Sequence, residues 1–300
     1  MIFAVVVTYN PEQARLEQVL AATRDAVNGV ILVDNGSPEI DEERLRAVCP
    51  SLVVSKFDTN RGIAVAQNRG IALASGAGAS LVLFLDQDSV PQPKMVSHLC
   101  ATLQRLQSEG HKVACVGPQI RFPGSRELSV FVRLGWIRRR REKCRDTSMA
   151  IECDFLIASG SLIPMHVIEE IGGMEEDLFI DQVDTEWCLR ARSKGYRVFG
   201  ACGAILEHSL GEAWQRMWLG RWRRLPRHKP FRYYYIFRNT FLLFGRSYVS
   251  LKWMLFQLRW LAALFVMYGL FGRTRGGELK MMLKGIAHGV RGVTGQLEQP

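Results

Sequence analysis

Phe84-Leu85-Asp86-Gln87-Asp88-Ser89 closes an apolar run that begins at Ser80-Leu81. An unbroken run of this length reads as a strand buried on both faces. It ends on two carboxylates one residue apart. In an extended chain residues i and i+2 project to the same side, so Asp86 and Asp88 should face one ligand. Two carboxylates so placed suit a hard divalent cation, Mg²⁺ or Mn²⁺, of the kind that also holds a substrate diphosphate.

Working outward, Ile2–Val7, Val30–Val33 and Leu52–Val54 are further strand-like runs. Between them Pro11 opens a helical spacing through Leu16, Leu20, Thr23 and Val27 to Gly29, and Ile63–Ala74 is Ala-rich and helical up to Gly76. Strand–helix alternation predicts an α/β fold, a mostly parallel, Rossmann-like sheet with helices on both faces. After three strands come Thr8-Tyr9-Asn10-Pro11, Asp34-Asn35-Gly36-Ser37 and Asp86-Gln87-Asp88-Ser89. Each set alone is ordinary turn chemistry. Together, at the carboxyl ends of strands in an open sheet, they mark a ligand rim. No GxGxxG or GxxxxGK[ST] is present, which excludes the usual dinucleotide and P-loop enzymes.

With 300 residues, 48% of them apolar, the chain can fill a sizeable core. Its seven cysteines form no CxxC pair and no zinc spacing, so dispersed buried thiols in a reducing cytosol are expected. Ile2–Val7 is too short for a signal peptide, and a cytoplasmic location follows as an expectation. The net charge of +10 is uneven: residues 211–300 carry 16 Lys and Arg against 3 Asp and Glu. Phosphorylated substrates, anionic lipid and nucleic acid are the partners such a surface attracts.

VVVTYNP, ILVDNGS, NRGIAVAQNRGI and FLDQDS, in this order, resemble the inverting glycosyltransferases of family 2, with a GT-A nucleotide-sugar-binding fold. Asp154–Ser161 and FIDQVDTEWCLRARSKGY extend the resemblance. Gln87 between the aspartates and the DTEW form of the later motif are similar to the rhamnosyltransferase branch. The resemblance covers residues 1–210, with a nucleotide-binding part at about 1–118 and an acceptor and catalytic part at about 150–210. It implies that Thr8, Tyr9 and Asn10 lie against the nucleotide and that Asp34 accepts from the pyrimidine N–H. Asn35, Gly36 and Ser37 would shape that pocket, Asn68 would face the nucleotide-sugar and Arg69 a phosphate. Asp86 would touch ribose and metal, Asp88 the metal, and His208 would be the third metal ligand. The implied donor is dTDP-L-rhamnose, with a UDP-sugar such as UDP-galactofuranose as the alternative.

FIDQVDTEWCLRARSKGY places Asp181, Asp184 and Glu186 around a helix start, with Gly195 as its stop. Helix capping is expected to account for one of these three acids, Asp181 or Asp184. The functional reading is a general base that takes the proton of the attacking acceptor hydroxyl. Relatives carry an acidic pair whose second member is the base. Alignment through Cys188-Leu189-Arg190 makes that residue Asp184, with Glu186 in reserve; Val183 stands where the first acid would be. Trp187, Asp154 and Ser161 are candidate acceptor contacts, and His228 a weaker one.

Residues 211–300 form a basic, aromatic and helical extension. Its most apolar stretch, Trp260–Phe271, is too short to span a bilayer. Aromatic residues with flanking Arg and Lys fit helices in a membrane interface, here the inner face of the bacterial cytoplasmic membrane. A polyprenyl-diphosphate-linked saccharide is then the expected acceptor, met by that surface and by Arg138–Arg141. The alternatives are an amphipathic helix packed on the catalytic domain and, in another class, single-stranded nucleic acid. The second would leave the acidic set idle.

Overall fold

The apolar runs become strands of one sheet, and the register of that sheet decides where their polar ends meet. The computed structural model describes residues 1–125, 127–136, 139–208, 214–218, 222–226, 228–271 and 275–297. The first half runs β1 (Ile2–Thr8), α1 (Gln13–Thr23), β2 (Gly29–Asp34), α2 (Glu42–Val48), β3 (Leu52–Lys56), α3 (Ile63–Gly76) and β4 (Leu81–Asp86). Then follow β5 (Ser89–Pro91), α4 (Met95–Ser108), β6 (Val113–Arg121), β7 (Phe131–Leu134), β8 (Arg139–Glu142), β9 (Ala150–Cys153) and β10 (Leu162–Pro164). After these come α5 (Met165–Ile171), a 3₁₀ turn (Glu176–Leu178), α6 (Val183–Ser193) and β11 (Arg197–His208). The chain ends with β12 (Trp214–Trp218), β13 (Trp222–Pro226), α7 (Pro230–Phe244), α8 (Leu251–Phe271) and α9 (Arg275–Val290).

The sheet order is β3-β2-β1-β4-β10-β6-β11-β5, with β9 on β11. β3, β2, β1 and β4 are parallel, as are β6 and β11; β10 enters antiparallel between β4 and β6. Pairing Thr8 with Asp34 and Val7 with Asp86 aligns three strand ends on one rim. Period-two alternation splits the core. Val5, Val7, Ile31, Val33 and Phe84 face one side, packed on α3, α5 and α6. Ala4, Val6, Leu32, Leu83 and Leu85 face the other, packed on α1 and α4. α3 lies so close to β1 that a Cβ on Gly70 would come 2.2 Å from Val5 Cγ1.

Four features depart from the sequence reading. α1 stops at Thr23, and Val27 packs on the core outside it. α2 was not expected; it buries only Leu45, too little for a periodic signal, and starts at a cap in which Asp41 accepts from the Arg44 amide at 3.0 Å. Cys144 and Cys202 form a disulfide, which corrects the expectation of seven thiols. These two lie 58 residues apart in sequence, and the segment leading into β9 meets β11, where the Cys202 amide donates to the Met149 carbonyl at 3.0 Å. The other five are free, and all but Cys100 are buried. Last, the extension is not helical throughout, since β12 and β13 form an antiparallel hairpin before α7. Aromatic residues favour strands as readily as interfacial helices. The side chains of Trp214, Trp218 and Trp222 lie outside the described residues, as does Arg138.

Among the described residues no helix is long and apolar enough to cross a membrane. α7 begins with Pro230 at its first turn and is buried continuously from Tyr233 to Thr240. It packs on α9, where a Cβ on Gly285 or Gly289 would come 2.5 or 2.6 Å from the carbonyls of Tyr234 and Arg238.

Candidate functional site

A cavity of about 730 Å³ opens at the rim where β1, β2 and β4 end. Thr8, Tyr9, Asn35, Asp86, Asp88, Asp184 and His208 all line it, residues spread over two hundred positions of sequence.

Asp86, Asp88 and His208 offer ligand atoms within 4.8 Å of one another. Asp86 ends β4, Asp88 sits in the turn after it, and His208 is the last residue of β11. The short antiparallel strand β5 pairs with β11 and sets Ser89 opposite His208. Ser89 Oγ lies 2.7 Å from His208 Nδ1 and accepts from Ser159 Oγ at 2.7 Å. Ser159 Oγ in turn accepts from the Asp86 amide at 3.1 Å. Arg15 donates to the Asp88 carbonyl at 3.1 and 3.2 Å and so holds the turn. Burial pushes the Asp86 carboxyl up to about 6; His208 opposes the shift, and Asp88 and Asp184 add to it. Two carboxylates and an imidazole converging on one point are a donor set that fits a divalent cation.

Asp184 stands in the first turn of α6, with Gln182 at the N-cap position, so neither Asp184 nor Asp181 is the cap. Its Oδ2 accepts from the Ala158 amide at 3.3 Å and its Oδ1 from the Thr185 amide at 2.7 Å. Burial raises its pKa above the usual aspartate value, against those two amides. A carboxylate held this way is a stronger base than a solvated one. Asp181 is instead paired with Arg232, at 2.5 and 3.2 Å. Beside them His228 also lines the cavity, its pKa pushed down to about 4 by burial and by Arg232.

The nucleotide-side expectations divide. Thr8, Tyr9 and Asn35 line the cavity. Asp34 is fully buried beneath them and accepts from Thr8 Oγ1 at 3.2 Å, Ser37 Oγ at 2.5 Å and the Ser37 amide at 3.0 Å. Ser37 Oγ accepts from the Asn10 amide at 2.8 Å. Gly36 has φ +87°, and a Cβ there would come 2.5 Å from the Thr59 carbonyl carbon, so the loop needs glycine twice over.

Several other candidates are placed elsewhere. Asn68 does not face the cavity. Its amide group bonds both the N–H and C=O of Met174, at 2.7 and 2.9 Å, and donates to Glu176 at 2.8 Å. Arg69 donates to Ser55 Oγ at 3.1 Å, away from the cavity. Glu186 is fully buried and accepts from Arg190 at 2.7 and 2.9 Å and from Tyr248 at 2.6 Å, an ion pair that removes it as reserve base. Trp187 is core, 1% exposed, with Nε1 donating to the Gly172 carbonyl at 3.0 Å. Asp154 pairs with Arg192 at 2.9 Å, and Ser161 donates to the Ile157 carbonyl at 2.6 Å; neither lines the cavity.

Sequence reading missed Gln67, Asn60, Ser159 and Arg232. Gln67 lines the cavity while 2% exposed, and its Oε1 has no partner among the described residues. An orphaned buried acceptor at a cavity wall is a place for a ligand N–H or O–H. Nothing in an Ala-rich helical stretch singles it out.

Another wall of the cavity is a loop with three non-glycine residues at positive φ: Phe179 (61°), Asp181 (64°) and Gln182 (65°). Such a backbone persists only where its surroundings hold it. Two residues of α7 that do not line the cavity, Arg238 and Asn239, do so. Asn239 Nδ2 lies 2.8–2.9 Å from the carbonyls of Leu178, Ile180 and Asp181. Arg238 donates to the carbonyls of Asp177, Leu178 and Gly295. Asn239→Leu strands those carbonyls at ~1–3 kcal/mol for each that finds no water. A melting temperature lowered by roughly 5–10 °C is expected, read by calorimetry.

A family model described as Glycosyl transferase family 2 matches residues 3–172. A protein of Shigella flexneri, "dTDP-rhamnosyl transferase RfbF", is 31% identical over 98% of this chain and 97% of its own. The fold is similar to that of the Staphylococcus aureus protein TarS, solved with UDP-GlcNAc, with a TM-score of 0.56, 16% identity and coverage of 97% of this chain and 81% of that one. It is also similar to GalNAc-T7, solved with UDP, GalNAc and Mn²⁺: TM-score 0.57, 12% identity, 97% of this chain but only 57% of that one. The chain is a GT-A protein and belongs to glycosyl transferase family 2.

Proposed function

We propose that this protein transfers L-rhamnose from dTDP-L-rhamnose, with inversion, to a saccharide acceptor in cell-surface polysaccharide synthesis. The observation that carries the reading is that Asp184 lines the same cavity as the Asp86–Asp88–His208 cluster. The choice of sugar is supported by the rhamnosyl relative, which aligns over nearly the whole chain.

In this reading Thr8, Tyr9, Asn35 and Gln67 receive the nucleotide, while Asp34 acts from below by ordering Thr8 and Ser37. Asp184 takes the proton of the acceptor hydroxyl as its oxygen bonds to the anomeric carbon and the bond from that carbon to the diphosphate breaks. Mg²⁺ or Mn²⁺ held by Asp86, Asp88 and His208 would neutralise charge on the departing dTDP. Placement of both reactants in one cavity supplies the alignment that a single displacement needs. The acceptor is read as a polyprenyl-diphosphate-linked saccharide, met at the inner face of the cytoplasmic membrane.

The test is a thermal-shift panel of nucleotide sugars with Mn²⁺, followed by an assay for nucleoside diphosphate release. A donor at 100 times its Kd stabilises the folded chain by ~2.7 kcal/mol. dTDP-L-rhamnose should give the largest shift. A larger shift with UDP-galactofuranose would overturn the donor; none with any sugar would overturn the reading.

A further inference from the structure

α8 turns an apolar stripe toward solvent. Leu251, Leu255, Leu258, Ala262 and Val266 recur at three- and four-residue spacing and so share one helix face. Leu251 is 60% exposed, Leu258 49% and Val266 57%. The opposite face, carrying Trp253, Gln257, Leu261 and Tyr268, is the one buried against the protein. An ordinary surface helix shows the reverse arrangement, with its polar face outward. Next to α8 lies Trp136, 68% exposed, its carbonyl 3.5 Å from Arg259 Nη1. Lys252 and Arg259 border the stripe, and exposed Arg139, Arg140 and Arg141 follow Trp136 on the same hairpin.

We infer that this surface docks on an anionic lipid bilayer, with α8 lying in the interface plane. The inference deepens the proposed function by naming the surface that meets the membrane, and rests on that reading only for the acceptor's location, not for the donor or the base. Its argument is the charge around the apolar stripe. α8 itself carries Lys252 and Arg259 and no Asp or Glu, and the neighbouring hairpin adds exposed Arg139, Arg140 and Arg141. A second copy docked stripe to stripe about a two-fold axis would set Lys252 and Arg259 near their own counterparts with no acid to offset them. An anionic headgroup layer satisfies the cations while its acyl boundary covers the leucines, and an indole such as Trp136 is suited to the headgroup level. Among the described residues no helix is long and apolar enough to cross a bilayer, and in this inference α8 lies on the surface.

The test uses the full chain with vesicles of phosphatidylcholine mixed with phosphatidylglycerol, and of phosphatidylcholine alone. Sedimentation with the mixed vesicles is expected, weakening as salt is added. Lys252→Gln and Arg259→Gln should each weaken binding about five-fold. Leu258→Asp with Val266→Asp should abolish it, and Trp136→Ala should weaken it. All these positions are at least partly exposed, so an unchanged melting temperature separates lost docking from lost folding. Equal binding to neutral vesicles, wild-type binding by the double Asp variant, or a dimer that Leu258→Asp dissociates would overturn the inference. Vesicle binding requires no donor. Failure here with sugar transfer intact therefore leaves the proposed reaction standing, and the converse result leaves the surface standing.

Discussion

Asp184→Asn should slow sugar transfer by about 10²–10⁴-fold, the contribution of a positioned general base, while dTDP-L-rhamnose still raises the melting temperature. The change removes one proton acceptor and keeps the shape of the first turn of α6. The carbonyl oxygen of the substituted carboxamide can still accept from the Ala158 or Thr185 amide, so the cavity should survive. The two readouts therefore separate base catalysis from folding. A pH profile adds a third. Burial holds the Asp184 carboxyl above its ordinary pKa, and only its ionised form takes a proton. Activity should thus be full above that raised value and fall as pH drops through it, with the acid limb displaced upward from the usual aspartate range near ~3.9. If Asp184→Asn transfers sugar at the wild-type rate, the base lies elsewhere. Glu186 cannot replace it, being locked to Arg190 and Tyr248 in the core.

Asp88→Ala should act one step earlier, at donor binding. Asp88 is one of three groups converging within 4.8 Å, and loss of a carboxylate leaves Asp86 and His208. Charge neutralisation at a leaving diphosphate is worth several kcal/mol, so a loss of roughly 10³-fold in kcat/KM is expected. The Mn²⁺-dependent part of the donor thermal shift should vanish as well. A variant that keeps both would show that the cluster holds no cation needed for transfer. Melting in the absence of metal should change little, because Asp88 is partly exposed and the Arg15 contacts that fix its turn go to the backbone carbonyl.

Much of the rim was legible before any coordinates. Apolar runs ending in Thr8, Asp34 and Asp86 imply a parallel sheet with its polar ends on one side, because strand periodicity and crossover connections are local and chiral rules. Asp184 and His208 were legible through the resemblance, and both line the cavity. What the sequence did not show was which side chains with good local reasons to be functional are bonded elsewhere in the packed chain. Asn68 and Trp187 lie in motifs that look catalytic, yet each meets a distant backbone group no spacing rule could reveal, Met174 and Gly172; Glu186 is held by Arg190 one helical turn on and by the distant Tyr248. Gln67 is the converse, a polar residue on a helix face that packing turned into a cavity wall.

By itself, then, the sequence determined the layered α/β architecture, the convergence of three strand ends, and the cationic, apolar character of the last ninety residues. Each of these is written in composition and short-range periodicity. Tertiary structure alone decided that the final helices are part of the site's support. Arg238 and Asn239 hold the Leu178–Asp181 wall across some sixty residues of chain, and Ser89, Ser159 and His208 are joined by strand pairing between β5 and β11. Such contacts depend on which surfaces are buried against each other. Burial is a property of the packed chain, and no residue carries it in its name.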